Sequence, residues 1–313
     1  MEWNIESLLS ELDVSYNYEG AKRRFTSVSS LSEASEDDLS FSYDEGEKAI
    51  SAISKSNAGI ILCGKSIEGV IHPKPGKQAL FFLDKPRLTL VRLLSHIYHK
   101  KRLVGISPRA IISETAKIGS NCYIGDYSIV GENCTIGDNT IVYGRVDLVE
   151  NCTIGNGCII HPGVTMGADG FSFERDESGH PEKFPNIRGL RVENDVEVFP
   201  NSYIAKGSLS DTVIGERTKI AALCSISRNV TIGKDCLITS STTIGGSTSI
   251  GDLCWTGLNS TIKNRIRIGN NVIVAAGAVV LYDVPDKEIV AGIPARSIKD
   301  KVTSKALYRM AGL

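Results

Sequence analysis

The most constraining feature of the sequence is an aliphatic residue at every sixth position over most of its length. The first run starts at Ile106 and keeps an aliphatic residue or Met at each step to Met166. The second starts at Ile214 and reaches Val280, with Thr256 as its single lapse. Runs of this length do not arise by chance, so the repeat sets the architecture. The positions between the ends of the runs are Ile112, Ile118, Ile124, Val130, Ile136, Val142, Leu148, Ile154 and Ile160, then Ile220, Ile226, Ile232, Ile238, Ile244, Ile250, Ile262, Ile268 and Val274.

A strict period of six fits neither an α-helix, with its period of 3.6, nor a flat strand, with its period of two. It fits a coil with three short sides, each of which places one aliphatic side chain inside, so about eighteen residues complete one turn. Glycine follows many of the aliphatic positions, where we expect the backbone to turn a corner with little room for a side chain. The repeat therefore predicts a mainly β protein built around a parallel β-helix.

The cysteines follow the same repeat. Those two residues ahead of a repeat position are Cys122, Cys134, Cys152, Cys158, Cys224, Cys236 and Cys254. This register predicts small thiol side chains stacked inside the coils. The sequence has no Cys-x-x-Cys or Cys/His pair with the spacing of zinc ligands, so no metal site is predicted.

The repeat also divides the chain. Residues 1–104 lack it and combine apolar stretches such as AGIILC and QALFFLD with a helical pattern, LTLVRLLSHIYHK. They predict a small α/β domain, followed by the coil domain at 105–298 and a short tail at 299–313. Two interruptions break the coil, a polar and aromatic stretch at 168–190, predicted to project as a loop, and a small insertion at 208–211. Loops on rigid scaffolds often carry binding residues.

Charge and hydropathy exclude several classes of function. Lys and Arg number 35 and Asp and Glu 36, so there is no basic field that would attract nucleic acid. The N-terminus, MEWNIESLLSELDVSYNYEG, is acidic and amphipathic, unlike a secretory signal, and no apolar run approaches the roughly 18 residues that span a bilayer. We therefore expect a cytoplasmic protein without a membrane span.

Four stretches, in order along the chain, resemble one family of enzymes. They are FTSVSSLSEASEDDLSF, GISPRAIISETAKIG, HPGVTMGADGFSF and SLSDTVIGERTKI, and the GADGF signature at Gly167–Phe171 is the most specific part. The chain thereby resembles the UDP-3-O-acylglucosamine N-acyltransferases of lipid A synthesis, the LpxD family. The resemblance implies a left-handed parallel β-helix, a homotrimer and active sites in clefts between neighbouring subunits.

The catalytic positions depart from that family. There, a histidine within an Ile-Ala-His-Asn-Val stretch takes the proton from the attacking sugar amine, because an ammonium cannot attack a thioester. Here Arg228 stands in that position, and a guanidinium cannot act as the base because its pKa is above about 12. Neighbouring family pairs are replaced by Ala221 with Ala222 and by Ala205 with Lys206. The resemblance therefore predicts a rebuilt catalytic pocket.

Several residues are candidates for the site. His161 is the only histidine in either run and is the candidate base, or else a corner histidine that bonds a neighbouring subunit. Asp169 is a second catalytic candidate, or a turn residue that holds its loop. Arg228 is predicted to bind a phosphate or carboxylate, or else to form a structural salt bridge. Phe41 and Tyr43 are predicted to stack on a nucleotide base or to pack in the first domain. Further predicted ligand-binding residues are Asn229, Gly167 and Phe171.

The acyl donor is suggested by the C-terminal stretch, VAAGAVVLYDVPDKEIVAGIPARSI. It looks like the closing segment of CoA-dependent sugar acetyltransferases of the same superfamily, which lines the groove for the pantetheine arm. The long C-terminal helices that engage acyl carrier protein in LpxD proteins are not evident. The likeness favours acyl-CoA over acyl carrier protein, with Gly277, Gly292 and Arg296 as binding residues. No permanently bound cofactor is predicted.

Two functions remain open from the sequence. The first, which we favour, is an N-acyltransferase that moves an acyl group to the amine of a nucleotide-linked amino sugar for surface glycan or lipid A-type synthesis. The second is a non-catalytic LpxD paralogue that binds a sugar nucleotide or acts as a scaffold. The scaffold and the GADGF signature favour the enzyme, whereas Arg228 in place of the histidine favours the binding protein.

Overall fold

The computed structural model describes residues 2–99 and 101–301. The chain divides into two compact units, and the boundary in the sequence falls between Lys101 and Arg102. Most of the predicted C-terminal tail, from residue 302 onward, lies outside the described residues. None of the helices in the described part of the chain combines the length and the apolar character needed to cross a bilayer.

The first unit is an α/β domain around a five-stranded sheet. Its central strands, Ala79–Leu83 and Ile60–Gly64, are almost wholly apolar because helices and loops cover both of their faces. Across the sheet the strands run Asn17–Gly20, Ala79–Leu83, Ile60–Gly64, Asp38–Phe41 and Ser27–Val28, and Trp3–Asn4 pairs separately with Arg24–Phe25. The helices are Ile5–Glu11, Gly46–Lys55 and Pro86–Ile97, with a 3₁₀ turn at Lys65–Ile67.

The second unit is a left-handed parallel β-helix with three faces, which we name A, B and C in the order in which the chain visits them. Face A contains Gly105–Ile106, Tyr123–Ile124, Ile141–Val142, Ile159–Ile160, Glu197–Val198, Lys219–Ile220, Leu237–Ile238, Trp255–Thr256, Ile273–Val274, Ile289–Ala291 and Arg296–Ser297. Face B contains Ile111–Ile112, Ile129–Glu132, Asp147–Glu150, Thr165–Ala168, Tyr203–Ala205, Ser225–Ile226, Thr243–Ile244, Thr261–Ile262 and Val279–Val280. Face C contains Lys117–Ile118, Thr135–Ile136, Cys152–Ile154, Leu190–Val192, Thr212–Ile214, Thr231–Ile232, Ser249–Ile250 and Arg267–Ile268, and a 3₁₀ turn at Lys299–Lys301 follows the last coil.

This arrangement confirms the predicted fold class. Residues of successive coils pair in parallel, as Ile136 does with Ile154, and the repeat positions form one continuous buried core. The repeat also continues between the two runs, through Val192, Val198 and Ile204, all of which are buried. Ile106 is an exception to the inward rule: it is 52% exposed because its strand lies at the edge of face A and has a neighbour on one side only.

The corners correct one interpretation of the sequence. The left-handed backbone at the corners belongs to residues such as Asn121 and Asn139, three positions after a repeat residue, and not to the glycine that follows the repeat residue, with Gly167 as the exception. Asn adopts this conformation more readily than most residues. The glycine is required by the neighbouring coil instead. A Cβ at Gly131 would lie 1.7 Å from the carbonyl oxygen of Val149.

The single lapse in the repeat, Thr256, belongs to a buried group of hydroxyls. Its side-chain oxygen lies 3.1 Å from that of Thr242, which lies 3.3 Å from that of Ser260. A polar side chain is tolerated in the core when its hydrogen-bonding groups find partners, as here. The seven cysteines that follow the repeat are buried and form no disulfide, consistent with their predicted packing role, and Cys63 of the first unit is buried and free as well.

The two interruptions leave the coil at the same corner. The longer one follows Thr165–Ala168 on face B and contains a hairpin of Phe173–Arg175 with Pro181–Lys183 before face C resumes. The shorter one follows Tyr203–Ala205, again between faces B and C, in the next coil. The B–C corner is therefore the part of the coil where the sequence departs most from the plain repeat.

Candidate active site

Stacked residues at the B–C corner form a column that we call the corner ladder. Each lies two positions after an inward residue of face B, and parallel pairing aligns one coil with the next, about 4.8 Å away. A bulge at Gly167 shifts the register, so that Ala168 pairs with Ala205, and the N–H of Lys206 donates to the carbonyl oxygen of Ala168. The ladder changes from acidic to basic along the coil. In order it comprises Glu132, Glu150, Ala168, Lys206, Arg228, Gly246 and Asn264.

Lys206 is the most deeply buried charged group of the ladder, with only 6% of its side chain exposed. Its ammonium pairs with the carboxylate of Glu150 and lies 3.2 Å from Asp169 Oδ1. Ala168 separates Lys206 from Glu150 along the ladder, and its small side chain leaves the space that the lysine crosses. Asp169 also pairs with Lys183 of the hairpin. The cluster therefore ties the GADGF loop to the coils on both sides of it.

These contacts change the proton affinities of the cluster. The hydrogen bond from Lys183, together with that from Lys206, holds the pKa of Asp169 below its usual range. Burial alone lowers the pKa of Lys206, but its hydrogen bonds to Glu150 and Asp169 outweigh burial and raise the net pKa. A carboxylate with a lowered pKa accepts a proton poorly, and so does a carboxylate already shared between two ammonium groups. The arrangement suits positioning more than proton transfer.

Replacing Lys206 by methionine is expected to lower the free energy of unfolding by about 2 kcal/mol, because two carboxylates lose the ammonium that they share. Breaking a fully buried pair costs about 3–5 kcal/mol. Glu150 and Asp169 are 39% and 36% exposed, and solvent reduces that cost. Urea denaturation followed by circular dichroism measures the difference. Lys183→Met, which removes the more exposed ammonium, is the matched control and should cost under about 1 kcal/mol.

The same variant has a pH signature. The lowered pKa of Asp169 stabilises the fold above the usual value of 3.8, and this contribution is lost progressively as the pH falls below it. The raised pKa of Lys206 stabilises the fold below the usual value of 10.5, and this contribution is lost as the pH rises above it. The stability difference between wild type and Lys206→Met should therefore shrink at both extremes. A difference that stays constant from acid to alkaline pH would contradict the ion-pair account.

Arg228 lies one coil beyond Lys206 on the corner ladder and contacts glycines on both sides. A Cβ at Gly170 would lie 2.8 Å from Arg228 Cβ, and one at Gly246 would lie 2.6 Å from Arg228 Nη1. The side chain is therefore held between the GADGF loop and the following coil. Its Nε is buried and has no hydrogen-bond partner among the described residues.

Asn229 turns the corner after Arg228 in a left-handed conformation, with φ of 58°. Its Oδ1 accepts a 2.7 Å hydrogen bond from the backbone N–H of Ser208, in the shorter insertion. Its own backbone N–H donates to the hydroxyl of Thr212 at 2.9 Å. Asn229 therefore fixes the second insertion against the corner on which Arg228 stands.

His161 lies at the other edge of face B, at the A–B corner. Its Nε2 is 2.9 Å from Glu197 Oε1, and its ring is stacked between Tyr143 and Phe199, with centroid distances of 5.2 and 4.7 Å. The stack forms because these rings occupy equivalent positions after the inward residue in successive coils. Because Nε2 faces the carboxylate, Nδ1 is the ring nitrogen that remains for proton exchange.

The remaining loop candidates lie near the start of the longer insertion. Gly167 has φ of 78°, and a Cβ there would lie 2.3 Å from Cys152 Sγ, so only glycine fits. Phe171 is 85% exposed and contacts Phe173 at a centroid distance of 5.0 Å. The structure thus gathers Gly167, Asp169, Phe171, Arg228 and Asn229 at the B–C corner, apart from His161.

Phe41 and Tyr43 lie in the first unit, at the end of Asp38–Phe41 and just beyond it. Phe41 is half-buried against the core, whereas Tyr43 is exposed and its ring lies 5.2 Å from the guanidinium of Arg87.

The predicted donor residues lie in the last coils of the second unit. Gly277 and Gly292 have φ of 67° and 92°, and a Cβ at Gly277 would meet nothing within 4 Å. Arg296 lies over the ring of Tyr282 at 5.3 Å and lines a cleft of about 490 Å³ together with Val280, Asp283, Pro285 and Ser297. The described residues include no group of three His, Cys, Asp or Glu side chains placed to hold a metal ion.

Sequence reasoning missed Glu150 and Glu197. Glu150 pairs with Lys206, which it precedes by 56 residues, and Glu197 pairs with His161, which it follows by 36. No local sequence pattern therefore predicts either pair. Counting coils would have found both. Glu150 stands two positions after the repeat residue Leu148, as Arg228 does after Ile226, and Glu197 stands on face A beside the strand that ends just before His161.

Comparison with known proteins identifies the repeat. The family described as bacterial transferase hexapeptide (six repeats) matches residues 115–146, 133–168 and 211–246. The hexapeptide repeat of succinyl-transferase matches residues 247–282. The matched ranges cover coils on both sides of the longer insertion.

Two solved structures share the fold. The UDP-N-acetylglucosamine O-acyltransferase (LpxA) of Moraxella catarrhalis RH4 superposes with a TM-score of 0.59 at 22% identity, over 66% of this chain and 77% of that one. LpxA of Acinetobacter baumannii gives a TM-score of 0.58 at 24% identity over the same shares. At these identities the likeness extends to the fold alone.

Curated relatives give the closer sequence match. The UDP-3-O-acylglucosamine N-acyltransferase of Methylorubrum populi is 35% identical over 140 residues, which are 45% of this chain and 40% of that protein. That of Methylorubrum extorquens strain PA1 is 34% identical over the same shares. The match spans about two fifths of the length of these relatives. The chain therefore carries hexapeptide repeats and, over this part of its length, is similar to the UDP-3-O-acylglucosamine N-acyltransferases.

Proposed function

We propose that the chain is an N-acyltransferase that moves an acyl group from a thioester to the amine of a nucleotide-linked amino sugar. The observation that carries the proposal is the 35% identity to an enzyme named for N-acylation of UDP-3-O-acylglucosamine. The GADGF loop, fixed to the coils by Lys206, supports it.

We assign the base to His161. The amine must lose a proton before or during its attack on the thioester, and Arg228 cannot accept one. The imidazole of His161 is oriented by Glu197 and held between two aromatic rings, so a base there is preorganised. Asp169, whose carboxylate is already shared with two ammonium groups, is assigned to positioning of the loop.

A homotrimer would complete this site. A cyclic trimer pairs different edges of each subunit, so the A–B corner of one subunit would face the B–C corner of the next. His161 would then approach the Gly167–Phe171 loop and Asn229 of a neighbouring subunit. The acceptor amine would bind between these corners.

For the donor we favour acyl-CoA over acyl carrier protein. The cleft lined by Arg296 has room for part of a pantetheine arm, and its guanidinium suits a phosphate. Gly277 and Gly292 place bare backbone beside the last coils, where an extended chain could approach closely.

Release of free thiol tests the proposal. The protein is incubated with acetyl-, butyryl- or longer acyl-CoA and with UDP- or dTDP-linked amino sugars, and a thiol reagent reports the freed CoA. All eight cysteines of the protein are buried, so its own background should be low. We expect release that depends on one acceptor. Acyl carrier protein charged with the same acyl group is the parallel donor.

Thermal stabilisation by a sugar nucleotide, without thiol release from any donor, would contradict the proposal and indicate a binding protein instead. Release without an acceptor would indicate plain thioester hydrolysis and would contradict it too.

A further inference from the structure

Arg228 stands outside the ion pairs of the B–C corner. Glu150 and Asp169 carry two negative charges, and Lys206 and Lys183 carry the two positive charges that pair with them. Arg228 adds a further positive charge and forms no ion pair with any described residue. A guanidinium held against the coil without a counter-ion is a strong donor group that lacks an acceptor.

The side chain is held in one orientation by its surroundings. Gly170 packs against its aliphatic part, and Gly246 lets Nη1 lie over the backbone of the next coil. Nε is buried and has no hydrogen-bond partner among the described residues. The two Nη nitrogens form no hydrogen bond with a described residue either, but they are not buried, so both face solvent. The charged tip is therefore presented outward at a fixed place.

More hydrogen-bond donors follow along the same corner. Asn264 is the ladder residue beyond Gly246, at about twice the 4.8 Å spacing of the coils from Arg228. Asn264 and the adjacent Arg265 are both exposed, and the described residues offer Arg265 no acid partner. Gly246 contributes no side chain between Arg228 and Asn264, and Arg228 Nη1 lies over it.

We infer that Arg228 is an oxyanion receptor, which binds a carboxylate or a phosphate of the ligand between its guanidinium and Asn264. Its cation has no counter-ion among the described residues, so the ligand must carry negative charge near this corner. The inference deepens the proposed function, on which it rests only for the identity of the ligand. The anion could be a carboxylate on the acceptor sugar or the diphosphate of a nucleotide.

Calorimetric titration tests this without turnover. The probes are inorganic pyrophosphate, UDP-glucose and UDP-glucuronate, which separate diphosphate from sugar carboxylate. For Arg228→Gln we expect the Kd of at least one probe to rise about tenfold or more, since charge-assisted hydrogen bonds are lost. If only UDP-glucuronate weakens, the carboxylate is the ligand group. If the binding of pyrophosphate and of both nucleotide sugars weakens equally, the ligand group is the diphosphate.

Two variants control for charge and folding. Arg267→Gln removes an exposed arginine on face C and should leave all three Kd values unchanged. Gly246→Ala keeps the charge but adds a Cβ where Nη1 lies, and the flexible guanidinium must move. It should weaken binding about as much as Arg228→Gln does.

The inference is overturned if wild type binds none of the probes at millimolar concentration, or if Arg228→Gln binds them all as wild type does. Equal loss in Arg267→Gln would show general charge attraction, which also overturns it. Failure of the acyl-transfer assay would leave these binding results intact, so the two proposals fail separately.

Discussion

His161→Gln is expected to lower kcat for acyl transfer about a hundredfold, with a much smaller change in KM. A positioned general base contributes about 10² to 10⁴ in rate, and glutamine has a similar length and polarity but cannot accept the proton. The acceptor still finds its binding groups at the B–C corner, so its affinity changes little. Initial rates of thiol release over a range of acceptor concentrations separate kcat from KM.

Glu197→Gln is the companion variant. It leaves the imidazole in place but removes the carboxylate 2.9 Å from Nε2, so kcat should fall less than in His161→Gln. Because the two side chains act as one unit, the double variant should be no slower than His161→Gln alone. A His161→Gln protein with the circular dichroism spectrum and the kcat of wild type would overturn the assignment of the base.

Gly131→Ala is expected to reduce the free energy of unfolding by about 3 kcal/mol, the upper end of the usual cost of overpacking. The added Cβ would lie 1.7 Å from the carbonyl oxygen of Val149, which is backbone of the next coil and cannot rotate away. Face B must therefore open between Ile129–Glu132 and Asp147–Glu150. Urea denaturation measures the loss, and hydrogen exchange should show weaker protection in those two strands.

Gly64→Ala is the matched control, because the nearest atom to its added Cβ is the Ser66 hydroxyl oxygen at 3.6 Å. Its free energy of unfolding should stay within about 1 kcal/mol of the wild-type value. If Gly131→Ala were no less stable than Gly64→Ala, the coils would have to be spaced more loosely than the structure shows.

The sixfold repeat made the coil predictable because each inward residue has the same neighbours one coil before and after it. Ile136 and Ile154 therefore both indicate an inward position, whatever the residues between them. The same regularity explains why the glycines were misread. Glycine suits both a left-handed corner and a close contact between coils. Only the structure shows that Gly131 makes the close contact, whereas Asn133 is the left-handed residue.

The candidate site was less predictable for the same physical reason. Once an insertion breaks the count, distance along the chain no longer reports distance in space, and Lys206 pairs with Glu150 across the longer insertion. The resemblance predicts that Arg228 stands where the family has a histidine, but no feature of the sequence predicts that Gly170 and Gly246 hold its side chain. Such contacts depend on loop geometry, which no repeat dictates.

The mass spectrum of the acceptor sugar after incubation with the wild-type protein and its donor tests the central claim most directly. The account predicts a product heavier by one acyl group, with fragments that place the acyl group on nitrogen as an amide. An acceptor of unchanged mass with every donor, or an acyl group on oxygen, would contradict it.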